Sequence, residues 1–354
     1  MKKMLNKDQN QEVGNSATAI QAGGSVTVIN VGVTASEVME IASNVSKAVF
    51  YELTGTAKET ASIRVEEITE QVIKKLEMDY PAGLQKAIDP DFQYALFTVQ
   101  KEYARSGDKD LGDLLVDLLV DRSKQEQRDI LQIVLNESLA TAPKLTDSHL
   151  AALAVIFLFK YTQNFGVGNH QLFGEFLDKH ILPFVSKLTK NQAGYQHLEF
   201  TGCGSIGFGG QSLESILGTV YQGQFLKGFD KSEISNRPIS VGFDPRFFIP
   251  CLNDPLKIQV RANSKENLEK FIEDQGVSSE DKARILELFD LGKMSESEIK
   301  EKIITIRPYM ADVIETWTNS AMQSFTLTSV GMAIGHANIK RLIGEFANLS
   351  IWIN

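Results

Sequence analysis

The residues whose types and spacing could do chemistry fall in three short stretches. In DLGDLLVDLLVDR, Asp113, Asp117 and Asp121 recur at i, i+4 and i+8, so on a helix they line one face. With Asp110 nearby they are hard oxygen ligands of the kind that hold a divalent cation, which would make the chain a metal-dependent nuclease or hydrolase. The same spacing has a plainer reading. Leu114, Leu115, Leu118 and Leu119 lie between the acids, which makes the segment an amphipathic helix with the carboxylates as its polar face. Three like charges on one face then call for basic partners, with Arg122, Arg105 and Arg128 as the candidates.

The second stretch is GCGSIG, where Gly202, Gly204 and Gly207 match the spacing of a dinucleotide-binding turn. In such a turn the glycines let the backbone approach a pyrophosphate at a helix N-terminus. The surrounding sequence does not supply the strand–helix–strand unit that the motif needs. His197 and Glu199 interrupt the segment before it, and a helix followed by KGFDKSEISNRP comes after it. A tightly turned glycine loop over Tyr195–Gly210 is the expectation, and no cofactor is expected. In the third stretch His197 and Cys203 stand six apart, which allows a nucleophile–base pair only if the loop folds back on itself. His149, His170, His180 and His336 show no zinc spacing, and His336 in GMAIGHANIKR reads as a satisfied helix or interface histidine. The rhythm of FTLTSVGMAIGHANIKR resembles the junction between a wing and the last helix of a winged-helix domain. Lys340 and Arg341 offer fewer phosphate contacts than DNA binding needs.

Helices must position these residues. TASEVMEIASNVSKAVFYELTG predicts a helix capped by Thr34 or Ser36 and ended by Gly55. Further helices follow in ETASIRVEEITEQVIKKLEMD, DPDFQYALFTVQKEYARSG, two in DKDLGDLLVDLLVDRSKQEQRDILQIVLNESLATAP, and one capped by Thr146 in KLTDSHLAALAVIFLFKYTQ. NHQLFGEFLDKHILPFVSKL predicts a helix broken near Pro183. Residues 234–258, with Pro238, Pro245, Pro250 and Pro255, read as an irregular connector. Charged, well-capped helices come next, then a strand at Phe325–Leu327, Thr328 as a cap, a helix over Val330–Ile343 and a closing strand in LSIWI. The expected fold is mainly α: a multi-helix body with a short N-terminal β-ribbon and a smaller C-terminal α+β region. The expected division is 1–33, 34–233 and 234–354.

The 354 residues carry 43% hydrophobic and 23% charged side chains and a net charge of −9. That balance suits a globular body with a sizeable core and argues against a broad nucleic-acid surface. Two cysteines are too few for a disulfide framework, and MKKMLNKDQNQEVG has no apolar stretch of signal-peptide type, so a cytoplasmic location is expected. The most apolar run, Leu150–Phe159, is about half the ~20 residues of a spanning helix. It reads as a buried helix, which argues against stable membrane insertion. A triggered membrane-active protein is the reading in which that helix is released.

VGNSATAIQAGGSVTVINVG, residues 13–32, alternates in SVTVINV and turns at QAGG, so it predicts a β-hairpin. A lone two-stranded hairpin is marginal in water. Ile20, Val26, Val28 and Ile29 are therefore expected to lie on the body or to pair between copies of the chain. This ribbon, with GNS followed by IQAGG and VTV, resembles short leaders found on varied bacterial proteins, many of them similar to anti-phage or conflict effectors; here no Asp follows the first glycine. QAGGSVTV, DPDFQYALFTVQKEYARSGDKDLGDLLVDLLVDR, IVLNESLATAPKLT, YQHLEFTGC, YQGQFLKGF and LTSVGMAIGHANIKR together resemble, nearly end to end, a family of functionally uncharacterised bacterial proteins. The resemblance implies no reaction or catalytic residue. The expected function is that of a self-assembling interaction protein, a homo-oligomer serving as a sensor or effector in anti-phage defence, with a phage or host protein as a further partner.

Overall fold

The computed structural model of the chain describes residues 33–47 and 53–353. The ribbon of residues 13–32, with Ile20, Val26, Val28 and Ile29, lies outside the described residues. What is described is mainly α-helical with two small two-stranded antiparallel sheets.

Local capping sets where the helices begin. Helix α1, Ala35–Ser46, starts at Thr34 rather than Ser36, because Thr34 Oγ1 accepts the Glu37 N–H while the Glu37 carboxylate accepts the Thr34 N–H at 2.8 Å. This reciprocal pair satisfies two backbone donors that the helix leaves free. Asp89, Asp108 and Asp129 cap α3 (Pro90–Ser106), α4 (Lys109–Ser123) and α5 (Ile130–Thr141) in one direction only, each carboxylate accepting backbone N–H groups of the first turn. Gly55 opens α2, Gly55–Asp79, with a φ of 57°, instead of closing α1. Residues 48–52, where the two helices would meet, are outside the description.

The main core is built around α6, Asp147–Tyr161, in which Leu150–Phe159 are all buried. Its neighbour is α16, Ser329–Ile343, nearly the last element of the chain. The close approach depends on Gly335: a Cβ there would stand 3.0 Å from the Leu153 carbonyl oxygen. The apolar ten-residue run is thus a core helix. Among the described residues no helix is long and apolar enough to cross a membrane. The break expected at Pro183 separates α7, His170–His180, from α8, Leu182–Val185.

The stretch expected to be an irregular glycine loop is ordered differently. Gln192–Phe200 forms helix α9, capped by Asn191, and Gly204–Ile206 forms strand β1. β1 pairs antiparallel with β4, Phe325–Leu327, in the register Gly204 to Leu327 and Ile206 to Phe325. Helix α10, Leu213–Val220, follows. The closing strand expected in LSIWI is instead a 3-10 turn over Leu349–Ile351, because the Asn348 side chain caps the Ser350 N–H at 2.9 Å. Trp352 fixes the tail by donating to the Tyr161 carbonyl at 2.7 Å.

A second apolar cluster, from Leu226 to Phe289, forms a separate lobe. It contains α11 (Ser232–Asn236), β2 (Phe248–Pro250) paired with β3 (Ile258–Val260), α12 (Lys265–Asp274) and α13 (Ser279–Asp290). The chain enters and leaves it side by side: Lys227 N–H donates to Gly292 O at 2.8 Å, and Met294 N–H to Phe225 O at 3.1 Å. Helices α14, Glu296–Ile306, and α15, Met310–Thr318, then rejoin the main core. Apolar side chains therefore group as an insertion within one body, whereas the sequence suggests a cut at 233/234.

Candidate functional site

The acidic stripe lies on α4 as its spacing requires, and its partners are not the arginines nearest in sequence. Asp110 pairs with Arg341 at 2.7 Å, Asp117 with Lys75 at 3.3 Å, and Asp121 with both Lys124 at 2.7 Å and Lys340 at 3.0 Å. Arg122 turns to the other side of the helix, where it is buried, pairs with Asp91 and donates to Asn136 at 3.2 Å. Arg105 pairs with Glu102. Burial pushes the Asp117 carboxyl above the usual carboxylate range despite the ammonium of Lys75. Burial also opposes ionisation of Asp121, but Lys340 and Lys124 hold it below its ordinary value. Asp113 stays exposed. Asp110, Asp117 and Asp121 thus form a seam between α4 and the basic residues of α2 and α16. Among the described residues no group of three His, Cys, Asp or Glu side chains could hold a metal ion.

His197 and Cys203 are not brought into a catalytic pair. His197 Nε2 is 2.9 Å from the Lys144 carbonyl, which can only accept, so this nitrogen carries the proton. Its ring stacks on His149 with centroids 5.2 Å apart. His149 Nδ1 accepts the Thr146 N–H at 3.1 Å. Spacing alone gives no signal for that histidine pair, since 48 residues of chain separate its members. Cys203 is fully buried, with Thr201 Oγ1 3.5 Å from its sulfur. Burial pushes its thiol up, away from the thiolate that a nucleophile needs.

The glycines of GCGSIG serve packing. Gly202 takes a φ of 77° in the turn after α9. A Cβ on Gly204 would stand 2.2 Å from the Phe325 ring, and one on Gly207 would stand 3.3 Å from the Ser324 carbonyl. These close approaches are to the β4 side of the sheet, so Gly204 and Gly207 are taken up by packing against it, while Gly202 serves the turn.

The same segment does border a pocket, through Gly209 and Gly210 just beyond the motif. A cavity of about 520 Å³ lies between the end of α6, α10 and the approach to β4, lined by Lys160, Gln211, Thr219, Gln323, Ser324 and Thr326 among others. Lys160 Nζ donates to the carbonyls of Gln323 at 3.0 Å and Phe325 at 2.9 Å and lies 5.3 Å from the centre of the Trp317 ring. No Asp or Glu lines this pocket among the described residues. Burial pulls the Lys160 ammonium down to about 8. This lysine was legible in sequence only as the residue that ends the apolar run of α6.

Two further cavities flank the C-terminal tail. One, about 400 Å³, is lined by Asp121, Lys124, Lys340 and His336 among others; the lining of the other, about 610 Å³, includes the rings of Phe176, Phe346 and Trp352. His336 is buried as its setting suggests, with Nε2 donating to the Ala347 carbonyl.

A family model matches residues 32–353, and the chain belongs to that family, an uncharacterised one. No curated protein and no solved structure matches the chain.

Proposed function

We propose that this is a self-assembling interaction protein, in which the N-terminal ribbon pairs between copies and gathers the helical bodies into a homo-oligomer. The observation that carries the reading is the alternation of SVTVINV after a turn at QAGG, a hairpin pattern placed ahead of a mainly α-helical body. Among the described residues the first buried apolar side chain is Val38. Val33, the first described residue, is tied to the body by its N–H, which donates to Gln85 Oε1 at 2.8 Å. An isolated hairpin is marginal in water, and pairing between copies gives Ile20, Val26, Val28 and Ile29 an apolar partner. The resemblance of the ribbon to leaders of anti-phage effectors supports a role as sensor or effector in defence, with a phage or host protein as the further partner.

The engagement of Asp117, Asp121, His197 and Cys203 in structural contacts favours recognition over hydrolysis. The burial of Leu150–Phe159 at the centre of the main core disfavours release of that helix into a membrane, since it would take the core with it.

Two substitutions of equal chain length test the reading. Val26→Asp with Val28→Asp puts two charges on the apolar face of the hairpin, and light scattering should show a smaller particle with an unchanged helical circular dichroism signal. Cells carrying that variant should lose protection in a phage-plating assay. An unchanged mass would refute assembly through the ribbon.

A further inference from the structure

We infer that the pocket beside Lys160 binds the carboxylate group of a small organic acid. The inference is independent of how copies assemble. An ammonium group has three donors; two of those on Lys160 are spent on the Gln323 and Phe325 carbonyls, and one is left. Carbonyl oxygens and the Trp317 face solvate the charge without neutralising it. Elsewhere in this body the partly buried cations Lys75, Lys340 and Arg341 each have an aspartate. Lys160 is half-buried, has backbone carbonyls and no carboxylate as partners among the described residues, and lines a cavity without an acid. A cation withdrawn from water without a counter-charge is costly, and a ligand carboxylate would supply the missing charge.

The rest of the lining fits a single negative charge on an organic body. Thr219, Ser324 and Thr326 bring hydroxyls and Gln211 an amide, whereas Phe159, Ile216 and Val220 bring apolar surface. One ammonium with neutral donors matches a monoanion better than the double charge of a phosphate monoester. The volume, about 520 Å³, falls in the range of small-molecule sites. Because Gly209 and Gly210 form part of the rim, the glycine-rich sequence contributes a narrow backbone wall to this pocket.

Calorimetry on the full chain with benzoate, butyrate, methyl benzoate and inorganic phosphate tests the inference. Benzoate and butyrate should bind, and benzoate should bind at least tenfold more tightly than its methyl ester. Lys160→Met should remove the difference between acid and ester. That variant leaves two carbonyls without a donor, so a second measurement uses the unsubstituted chain. With lysine labelled by ¹³C at Cε, the Lys160 resonance should titrate at higher pH when benzoate is present, because the carboxylate stabilises the ammonium. Equal binding of acid and ester, a Lys160 resonance that benzoate leaves unmoved, or binding of phosphate without either carboxylate would each overturn the inference.

Discussion

Lys340 on α16 holds its Nζ 3.0 Å from Asp121 Oδ1 on α4, across 219 residues of chain, and Lys124 reaches the same oxygen at 2.7 Å. This contact fastens nearly the last helix to one formed early in the sequence. It also explains why an acidic stripe that looks like a metal site is a seam inside the fold.

Asp121→Asn should therefore destabilise the protein by about 1–3 kcal/mol, because it leaves two partly buried lysines facing a neutral amide. Asp113→Asn, at an exposed position, should stay within about 0.5 kcal/mol of the parent. Urea unfolding with and without added magnesium checks both. Equal losses at the two positions, or a magnesium-dependent midpoint, would speak for a metal role instead.

Gly331 near the start of α16 faces the Cys203 carbonyl so closely that a Cβ would stand 1.8 Å from its oxygen. Gly331→Ala should cost about 1–3 kcal/mol from overpacking, although alanine favours a helix over glycine. Gly209→Ala, with nothing within 4 Å of the added carbon, should be near neutral. Thermal midpoints of the two variants make the comparison.

These cases show which parts of the fold the sequence discloses. Caps, apolar periodicity and the stop at Pro183 are local, and the helices they mark are present. The β1–β4 pairing joins residues more than a hundred positions apart, and no local pattern in GCGSIG announces it. The same holds for Lys75 and Lys340 as partners of the stripe. Arg122 was nearer in sequence, but the turn of the helix points it at Asp91. Lys160 was hidden for a related reason: its unanswered charge becomes visible only when its neighbours are known.

Burial pulls the pKa of His149, His170, His180 and His336 below the ordinary histidine value. As pH falls through about 6.5 the unfolded chain takes up these protons before the folded one does, so stability declines. The raised Asp117 acts in the opposite direction, since burial makes its folded form take up a proton before the unfolded one. The thermal midpoint should therefore drop between pH 7.5 and 5.5, by about 2 °C or more. A midpoint that rises over this interval would contradict the assignment.

At pH 8 about half of Lys160 should be the neutral amine, since its pKa is about 8. An ordinary lysine near 10.4 is then less than about 1% neutral. A small amine reagent at pH 8, followed by peptide mass spectrometry, should modify Lys160 early among the lysines despite its partial burial. Added benzoate should slow that modification. Late modification with no effect of benzoate would count against an open, uncompensated amine.

If the segment before residue 33 joins copies together, its removal must change the assembly. The most direct measurement is the mass in solution of the full 39.2 kDa chain beside a variant lacking residues 1–32, by light scattering at matched concentrations. The full chain should give a multiple of its own mass. The shortened one should fall to the mass of a single copy and keep its thermal transition. The same multiple in both, or loss of the folded transition on shortening, would contradict the account.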